Sequence, residues 1–214
     1  MRIRRYADLG VLVETDTTGQ ALALCAAVEA AGIGARARPG WRTVLVEPDD
    51  AAGRPAAGRL EAAVRDLVAG LAAAAAPPPG RLVELPVVYD GDDLPAVSRA
   101  LGMPVDELVH RHAAAVYTVV CLGFSRAFPY LEGLDPALRL PRRATPRERV
   151  PAGSVAIAAD QAGVYPWTSP GGWHLLGRTP AVLFDPDRDP PSALRPGDRV
   201  RFVPGAPPGG GPPS

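Results

Sequence analysis

The sequence contains no lysine and no asparagine, and it has only two cysteines among its 214 residues. All 23 basic side chains are therefore arginines, and they balance 23 acidic side chains to give a formal net charge of zero. Without lysine, the chain cannot supply a P-loop lysine, a Schiff-base lysine or an ammonium general base. The neutral balance gives no reason to expect binding to nucleic acid or to a membrane surface. The abundance of Ala, Gly, Pro and Arg is best explained by a GC-rich genome.

The two cysteines are predicted to be small buried hydrophobic residues, because Cys25 lies on an apolar helical face and Cys121 in a strand-like run. Two such residues are too few for a metal cluster or a disulfide framework. The sequence has no apolar run of 18 residues and no N-terminal apolar segment typical of a signal peptide. We therefore expect no signal peptide, no membrane span and a cytoplasmic location.

Hydrophobic spacing in the first 90 residues predicts the element order β-α-β-β-α-β. A strand through Leu9, Val11 and Val13 precedes a helix that is capped within 16–18 and ended by Gly32. Two short strands are predicted within residues 34–48, a second amphipathic helix over 60–71, and a further strand over 82–89. This order is that of a ferredoxin-like sandwich.

The second half begins with two short predicted helices and then becomes rich in short strands. Asp92 is the predicted cap of the first helix and Gly102 its stop, and Pro104 opens the second. From Tyr117 onward, frequent Gly and Pro separate β-rich pieces, which predicts a β-barrel or a sandwich. These pieces are 117–124, 154–158, 164–167, 173–177, 181–184 and 199–203. The last residues are nearly all Pro, Gly and Ala and are predicted to form a disordered tail.

One segment nearly matches the G-x-S-x-G nucleophile elbow of serine hydrolases. It runs over 123–127, with Ser125 in the position of the nucleophile. That elbow must lead directly into a helix, and Pro129 lies where the first helical turns should be. We therefore set the serine-hydrolase interpretation aside.

A cluster of arginines occurs in a proline-rich segment, the Arg–Pro loop (141–151). Arg142, Arg143, Arg147 and Arg149 lie within it, and Arg139 comes just before it. Proline limits backbone freedom, so these guanidiniums are presented from a stiff segment suited to binding a carboxylate or phosphate. The alternative is a solvated basic loop that pairs with nearby acids such as Glu148.

A glycine turn flanked by aromatic residues follows the Arg–Pro loop. The turn is Ser169-Pro170-Gly171-Gly172, with Tyr165 before it and Trp173 after it. Glycines permit close backbone approach and exposed N–H groups, so this segment is a candidate pocket for a small planar polar ligand. The alternative is a tight β-turn with aromatic core anchors.

The helix that follows Pro104 carries a histidine on its apolar face. His112 shares that face with Val105, Leu108 and Val109, so it is predicted to point inward. Such a residue is usually a satisfied core histidine, with a catalytic role as the alternative.

Several motifs in a fixed order over residues 84–203 resemble the KipI/PxpB family, also called allophanate hydrolase subunit 1. The element order before residue 84 agrees with it as well. The motifs are His112-x4-Tyr117, Gly123-Phe124-x3-Phe128-x-Tyr130-Leu131, Pro141-Arg142-x2-Thr145-Pro146-Arg147, Val150-Pro151-Ala152-Gly153-Ser154-Val155, Gly163-x-Tyr165-Pro166, Ser169-Pro170-Gly171-Gly172-Trp173, Gly177-Arg178-Thr179 and Pro196-Gly197-Asp198-x-Val200-x-Phe202.

The resemblance implies an α+β protein with a ferredoxin-like N-terminal domain at 1–83 and a cyclophilin-like β-barrel at 84–204, before the tail at 205–214. It implies association with a homologous C subunit (KipA/PxpC-like) and a TIM-barrel-like A subunit. The assembly would hydrolyse 5-oxo-L-proline to L-glutamate with hydrolysis of ATP. ATP is then a co-substrate of the complex, with Mg²⁺ as a candidate ion and no metal expected on this chain. The family also suggests two other roles, a binding regulator that inhibits a sensor histidine kinase and an accessory domain in allophanate or urea metabolism.

The resemblance also implies candidate site residues. The catalytic candidates are His112, Arg142 and Arg147. The substrate-binding candidates are Tyr117, Phe128, Tyr130, Arg143, Tyr165, Ser169, Gly171, Gly172, Trp173, Arg178 and Thr179. The chain departs from the family pattern at Arg126-Ala127, where Pro-Gly is usual, and a positive φ at this position would make Ala costly by about 1 kcal/mol.

Overall fold

The computed structural model describes residues 1–6, 10–49, 57–71 and 80–205. The chain divides into two compact units, Met1–Pro79 and Gly80–Ser214. Leu9 of the first predicted strand and nearly all of the predicted tail lie outside the described residues. Among the residues described, no helix is both long and apolar enough to cross a membrane.

The first unit has a four-stranded antiparallel sheet and two helices. Its elements are β1 (Arg2–Tyr6), β2 (Gly10–Glu14), α1 (Thr18–Ala31), β3 (Ala35–Pro39), β4 (Thr43–Pro48) and α2 (Ala57–Leu71), and the strand order is β1-β2-β4-β3. Helix α1 begins with a capping box between Thr17 and Gln20 and ends at Gly32, which has a φ of 57°. The start and the stop of this helix were both predicted from the sequence.

The core of the first unit follows from strict alternation along β2 and β4. Val11 pairs with Val46 and Val13 pairs with Val44, so all four side chains lie on the same face of the sheet and are buried. The buried positions of α1 and α2, which include Leu24, pack against that face. The apolar faces of the two helices and of the sheet therefore form a single core.

The predicted β-α-β-β-α-β order is present along the chain after β1, but the last predicted strand does not pair with the sheet of the first unit. The edge position beside β2 is filled by β1, which lies before the first predicted strand. The strand predicted over 82–89 is β5 (Leu82–Val87), and it pairs with a strand of the second unit. Alternation identifies a strand but not its partner, since pairing depends on residues far away in sequence. The ferredoxin-like arrangement is therefore not confirmed, whereas a mixed α/β architecture is.

The second unit consists of two helices beside a seven-stranded sheet and a two-stranded sheet. After β5 come α3 (Leu94–Leu101), α4 (Val105–Ala114), β6 (Val116–Gly123), β7 (Phe128–Glu132), a 3₁₀ turn (Pro136–Leu138), β8 (Arg147–Val150), β9 (Ser154–Ala158), β10 (Gln161–Val164), β11 (Ser169–Gly171), β12 (His174–Arg178) and β13 (Arg199–Pro204). The larger sheet has the order β12-β9-β10-β7-β6-β13-β5, and the smaller one joins β11 to β8. All neighbouring strands are antiparallel except β13 and β5, which are parallel.

Four of the predicted β-rich pieces coincide with β6, β9, β12 and β13, and the other two need correction. The piece predicted at 164–167 lies earlier, as β10, because Pro166 cannot continue the ladder. At 181–184 there is only an isolated bridge between Phe184 and Ser192. Strand β7 was not predicted, since Pro129 within it is a residue that usually interrupts strands.

Candidate functional site

A single buried carboxylate organises the Arg–Pro loop. The side chain of Asp93, just before α3, is only 5% exposed and accepts four hydrogen bonds. Arg147 donates from both terminal nitrogens, at 2.9 Å to Oδ2 and 2.8 Å to Oδ1, and Arg143 donates from Nη1 to Oδ1 at 2.7 Å. The backbone N–H of Leu175, in β12, donates to Oδ2 at 2.8 Å. The acceptor capacity of the carboxylate is therefore filled.

The electrostatics around Asp93 favour the ionised form. Burial on its own would raise the pKa of Asp93. The hydrogen bonds from Arg147 and from the Leu175 N–H, together with the charges of Arg147 and Arg143, outweigh burial and hold the pKa below its usual value. Asp93 is thus a fixed anion and not a proton donor or acceptor for a ligand.

The sequence predicts Asp92 as the helix cap and gives no sign of the role of Asp93. In the structure Asp93 holds the cap position, but its side chain makes no capping hydrogen bond. Its partners lie 50, 54 and 82 residues further along the chain. No local pattern could have identified them.

Arg142 is placed differently from its two neighbours. Its guanidinium lies 5.9 Å from the centre of the Trp173 ring, at the limit of a cation–π contact, and its side chain is exposed. In the part of the chain that the structure describes, Arg142 forms no ion pair with any acidic side chain. Of these three arginines of the Arg–Pro loop, Arg143 and Arg147 are ion-paired with Asp93, while Arg142 is exposed to solvent.

The aromatic candidates form a small core cluster beneath Arg142. Phe128 contacts Tyr130, Tyr165 and Trp173 edge-on, with ring centres 5.1 to 5.4 Å apart. Phe128, Tyr165 and Trp173 are buried, and Tyr130, which also meets Trp173 edge-on, is half-buried. This arrangement matches the alternative of aromatic core anchors and leaves the half-buried Tyr130 as the most accessible ring of the four.

Burial also sets the ionisation of the tyrosine hydroxyls. Burial raises the pKa of Tyr130, and the positive charge of Arg142 opposes this effect. Burial likewise raises the pKa of Tyr165, against the opposing effects of the Trp173 N–H and of Arg142. Both hydroxyls are therefore neutral near pH 7 and can act as hydrogen-bonding groups beside a cation.

Two glycines of the motifs are required by this cluster. A Cβ on Gly171 would lie 2.2 Å from the Tyr165 hydroxyl oxygen, and a Cβ on Gly163 would lie 2.8 Å from the Phe128 ring. Gly172 differs, since its nearest neighbour would be Pro146 at 3.6 Å. The close approach at Gly171 and Gly163 therefore serves packing of the rings.

The turn between β6 and β7 is strained. Phe124 has a φ of 58° and Ala127 a φ of 61°, in a region that L-residues other than Asn and Asp seldom occupy. Because Ala127 has a positive φ, the presence of Ala where the family usually has Gly lowers the stability of this turn. Trp167 Nε1 donates to the carbonyl oxygen of Arg126 at 3.1 Å, which fixes the turn from outside.

The catalytic candidate His112 lies in the core of the second unit. It is completely buried, stacks on Phe202 with ring centres 4.7 Å apart, and its Nδ1 lies 2.8 Å from the Tyr89 hydroxyl. Burial lowers the pKa of His112 to about 3, so the ring is neutral. Tyr117, also fully buried, donates its hydroxyl to the backbone carbonyl of His112 at 2.9 Å. These contacts favour a structural role for both residues.

The remaining candidates are Arg178, Thr179 and Ser169. Arg178 donates to Asp90 at 2.9 Å, and Thr179 is buried, with its hydroxyl accepting from the Ala181 N–H. Ser169 has a buried hydroxyl oxygen without a hydrogen-bond partner in the described structure. The structure thus brings together Arg142, Arg143, Tyr130, Gly172 and Trp173. Across the described ranges, no group of three His, Cys, Asp or Glu side chains is placed to hold a metal ion.

Proteins with similar sequences carry a common name, the B subunit of 5-oxoprolinase. The chain is 52% identical over 130 residues to the protein of this name from Escherichia coli O157:H7, and the match covers 59% of the chain and 60% of that protein. It is 46% identical over 127 residues to the one from Haemophilus influenzae, covering 58% and 60%, and 45% identical over 126 residues to the one from Bacillus subtilis, covering 58% and 52%. The matched part therefore spans little more than half of each relative.

Solved structures share the fold over nearly the whole chain. The crystal structure of TTHA0988 matches with a TM-score of 0.79 at 40% identity, covering 94% of this chain and 40% of that one. The conserved uncharacterized protein PH0987 from Pyrococcus horikoshii matches with a TM-score of 0.56 at 31% identity, covering 95% and 97%. Urea carboxylase of Kluyveromyces lactis, at 22% identity and a TM-score of 0.66, covers 95% of this chain and 22% of that one and shows the fold alone.

The statistical model of the family described as carboxyltransferase domain, subdomain C and D, matches residues 1–194. The motifs on which the KipI/PxpB resemblance rests lie almost entirely within this range, and the curated relatives agree with it. That resemblance is thereby confirmed, and the chain belongs to the carboxyltransferase-domain family, subdomains C and D.

Proposed function

We propose that this chain acts as the B subunit of an ATP-dependent 5-oxoprolinase, which hydrolyses 5-oxo-L-proline to L-glutamate with hydrolysis of ATP. The observation that carries the proposal is the 45–52% identity to three proteins named as the B subunit of 5-oxoprolinase. The partners would be a homologous C subunit and a TIM-barrel-like A subunit, and the assembly would be cytoplasmic. Its fold would include the cyclophilin-like barrel that the resemblance implies.

Within such an enzyme, Arg142 is the group of this chain best suited to bind the substrate's carboxylate. Its guanidinium is exposed, always charged and not neutralised by an acid in the described structure. The planar fork matches a carboxylate in a bidentate arrangement. The contact with Trp173 restricts the orientation of the fork.

Tyr130 supports the same assignment. Its ring is half-buried beside Trp173, and its neutral hydroxyl lies within the influence of Arg142. A small lactam ring has a flat apolar edge and a polar amide, which suits an aromatic ring with a hydroxyl at its rim. Phe128, Tyr165, Gly171 and Gly172 then shape the site from beneath.

The chemical demand on the enzyme is activation of a stable amide. The lactam is a poor electrophile, and transfer of a phosphoryl group from ATP to its oxygen would create a leaving group before water attacks. ATP, with Mg²⁺ as a candidate ion, would supply that phosphoryl group. No step of this transfer is assigned to a residue of this chain, whose contribution is to bind and orient the carboxylate.

The two other roles suggested by the family receive less support. The curated relatives are named for the oxoprolinase, and neither a kinase inhibitor nor an allophanate enzyme is among their names. Similarity to urea carboxylase extends only to the fold. The oxoprolinase is therefore the function to test first.

The test is 5-oxoproline-dependent hydrolysis of ATP by this chain assembled with its A and C subunits. We expect activity only with all three present, and a KM for 5-oxoproline raised about tenfold or more by Arg142→Ala. Arg149→Ala is the matched control, because Arg149 is an exposed arginine of the same loop without an ion pair in the described structure. Absence of activity from the complete set would refute the proposal.

A further inference from the structure

Asp93 connects three segments of the second unit at one point. Its backbone lies at the start of α3, where its N–H donates to the carbonyl oxygen of Leu175 at 3.2 Å. Its carboxylate accepts in return from the Leu175 N–H in β12, and from Arg143 and Arg147 in the Arg–Pro loop. The loop is thus tied to β12 through one side chain with no remaining acceptor capacity.

Arg142 lies between two further ties to the same stretch of chain. The carbonyl oxygen of Pro141, just before it, is 2.9 Å from Nε2 of His174. The N–H of Arg143, just after it, donates to the carbonyl oxygen of Gly172 at 2.9 Å. The position of Arg142 over Trp173 therefore depends on the alignment of the loop with residues 172–174, immediately before Leu175.

The charges of the Arg–Pro loop favour the approach of an anion. Arg143 and Arg147 share the single buried carboxylate of Asp93, and the only other acidic charge that acts on Arg147 among the described residues is that of the exposed Asp92. The Nε of Arg143 is buried and has no hydrogen-bond partner in the described structure. Arg142 adds a positive charge that is exposed and not ion-paired in the described structure. A carboxylate that approaches Arg142 therefore enters a region of positive potential.

We propose that Asp93 is a positioning residue that holds Arg143 and Arg147 so that the Arg142 guanidinium is aligned over Trp173 for a substrate carboxylate. Asp93 does not touch the substrate and acts only through the arginines. The proposal rests on the proposed function for the identity of the substrate, but its geometrical part concerns this chain alone. Asp93 lies outside every motif that carries the family resemblance.

Kinetics of the assembled enzyme give the first test. Asp93→Asn keeps the size of the side chain and removes the charge that holds both arginines, so we expect the KM for 5-oxoproline to rise about tenfold while the KM for ATP stays unchanged. The Asp93→Asn, Arg142→Ala double variant should be no worse than Arg142→Ala alone, because Asp93 acts through Arg142. Effects that multiply in the double variant, or equal changes in both KM values, would overturn the proposal.

The matched control is Asp135→Asn. Asp135 also accepts from an arginine and from a backbone N–H, in the same unit but on the 3₁₀ turn. It should leave both KM values unchanged even if it lowers stability. Should Asp93→Asn not fold, Arg143→Gln tests the same link, since it removes one tie and keeps the pair between Asp93 and Arg147, and the same rise in the KM for 5-oxoproline is expected.

A second readout needs no activity. Trypsin cleaves this chain only after arginine, since lysine is absent, so cleavage sites mapped by mass spectrometry report on the Arg–Pro loop. Asp93→Asn should accelerate cleavage after Arg142 and Arg143 severalfold relative to Asp135→Asn, at a temperature where both variants are folded. Unchanged cleavage overturns the proposal about Asp93. An inactive wild-type complex refutes the proposed function instead, and the cleavage result then decides the role of Asp93.

Discussion

Arg142 and Arg147, two residues of one motif, should differ strongly in how much their replacement by Ala lowers stability. Arg147→Ala removes a bidentate partner from a carboxylate that is only 5% exposed, whereas Arg142→Ala removes an exposed side chain that contacts one ring. We therefore expect Arg147→Ala to destabilise the second unit and Arg142→Ala to leave its stability nearly unchanged.

The magnitude follows from what remains around Asp93. Without Arg147, the carboxylate keeps Arg143 and the Leu175 N–H but loses two of its four hydrogen bonds. Leaving a buried charge partly unpaired costs about 3 kcal/mol, and loss of an exposed cation–π contact costs about 0.5 kcal/mol. For a domain of this size each kcal/mol lowers Tm by about 4 °C. Arg147→Ala should thus lower Tm by about 12 °C, and Arg142→Ala by about 2 °C.

The assay is thermal unfolding at pH 7 followed by near-ultraviolet circular dichroism, which reports the aromatic cluster of Phe128, Tyr130, Tyr165 and Trp173. Arg149→Ala serves as the control for removing an exposed arginine of the loop. Equal losses of Tm for the Arg142 and Arg147 variants, or a loss below about 3 °C for Arg147→Ala, would refute the assignment of Arg147 to the buried ion pair.

Three further predictions concern the core and the turns. Ala127→Gly should raise Tm by a few degrees, because the φ of 61° costs Ala about 1 kcal/mol relative to Gly, and a fall in Tm would contradict this. Gly171→Ala should lower Tm by roughly 4–12 °C through overpacking against the Tyr165 hydroxyl, while Gly172→Ala should change it little; similar values from the same melting assay would argue against this. The pKa of about 3 for His112 lies below the unfolded value of about 6.5, so below pH 6.5 the unfolded state gains a proton that the folded state does not. Stability should therefore fall by up to about 1.4 kcal/mol per pH unit from pH 6.5 to 4.5, and His112→Gln should flatten that slope in denaturant titrations.

Local signals predicted the helices well because their determinants are close together in sequence. The capping box at Thr17 and Gln20 and the left-handed Gly32 fix α1 within 16 residues, and Pro104 opens α4 as expected. Strand β4 follows from a β-branched run whose alternate members are buried. In each case the residues that decide the structure are neighbours.

Sheet membership and the site were harder because their determinants are distant. Strand β5 was correctly predicted as a strand, but its partner β13 lies 117 residues later, as the pair Arg201 and Glu84 shows. Asp93 depends on partners up to 82 residues away. The sequence therefore indicated where a ligand surface could lie, through Arg142 and Trp173, but not which arginines are already neutralised.

The pairing of β5 with β13 also bears on how the protein is made. Strand β5 lies at the sheet's edge in the described structure and runs parallel to the last described strand. During synthesis, residues 82–87 leave the ribosome long before 199–204 and must wait without their partner while more than a hundred residues are added. The second unit can complete its sheet only after residues 199–204 have been synthesised, so β5 is exposed to wrong pairing for longest in this unit.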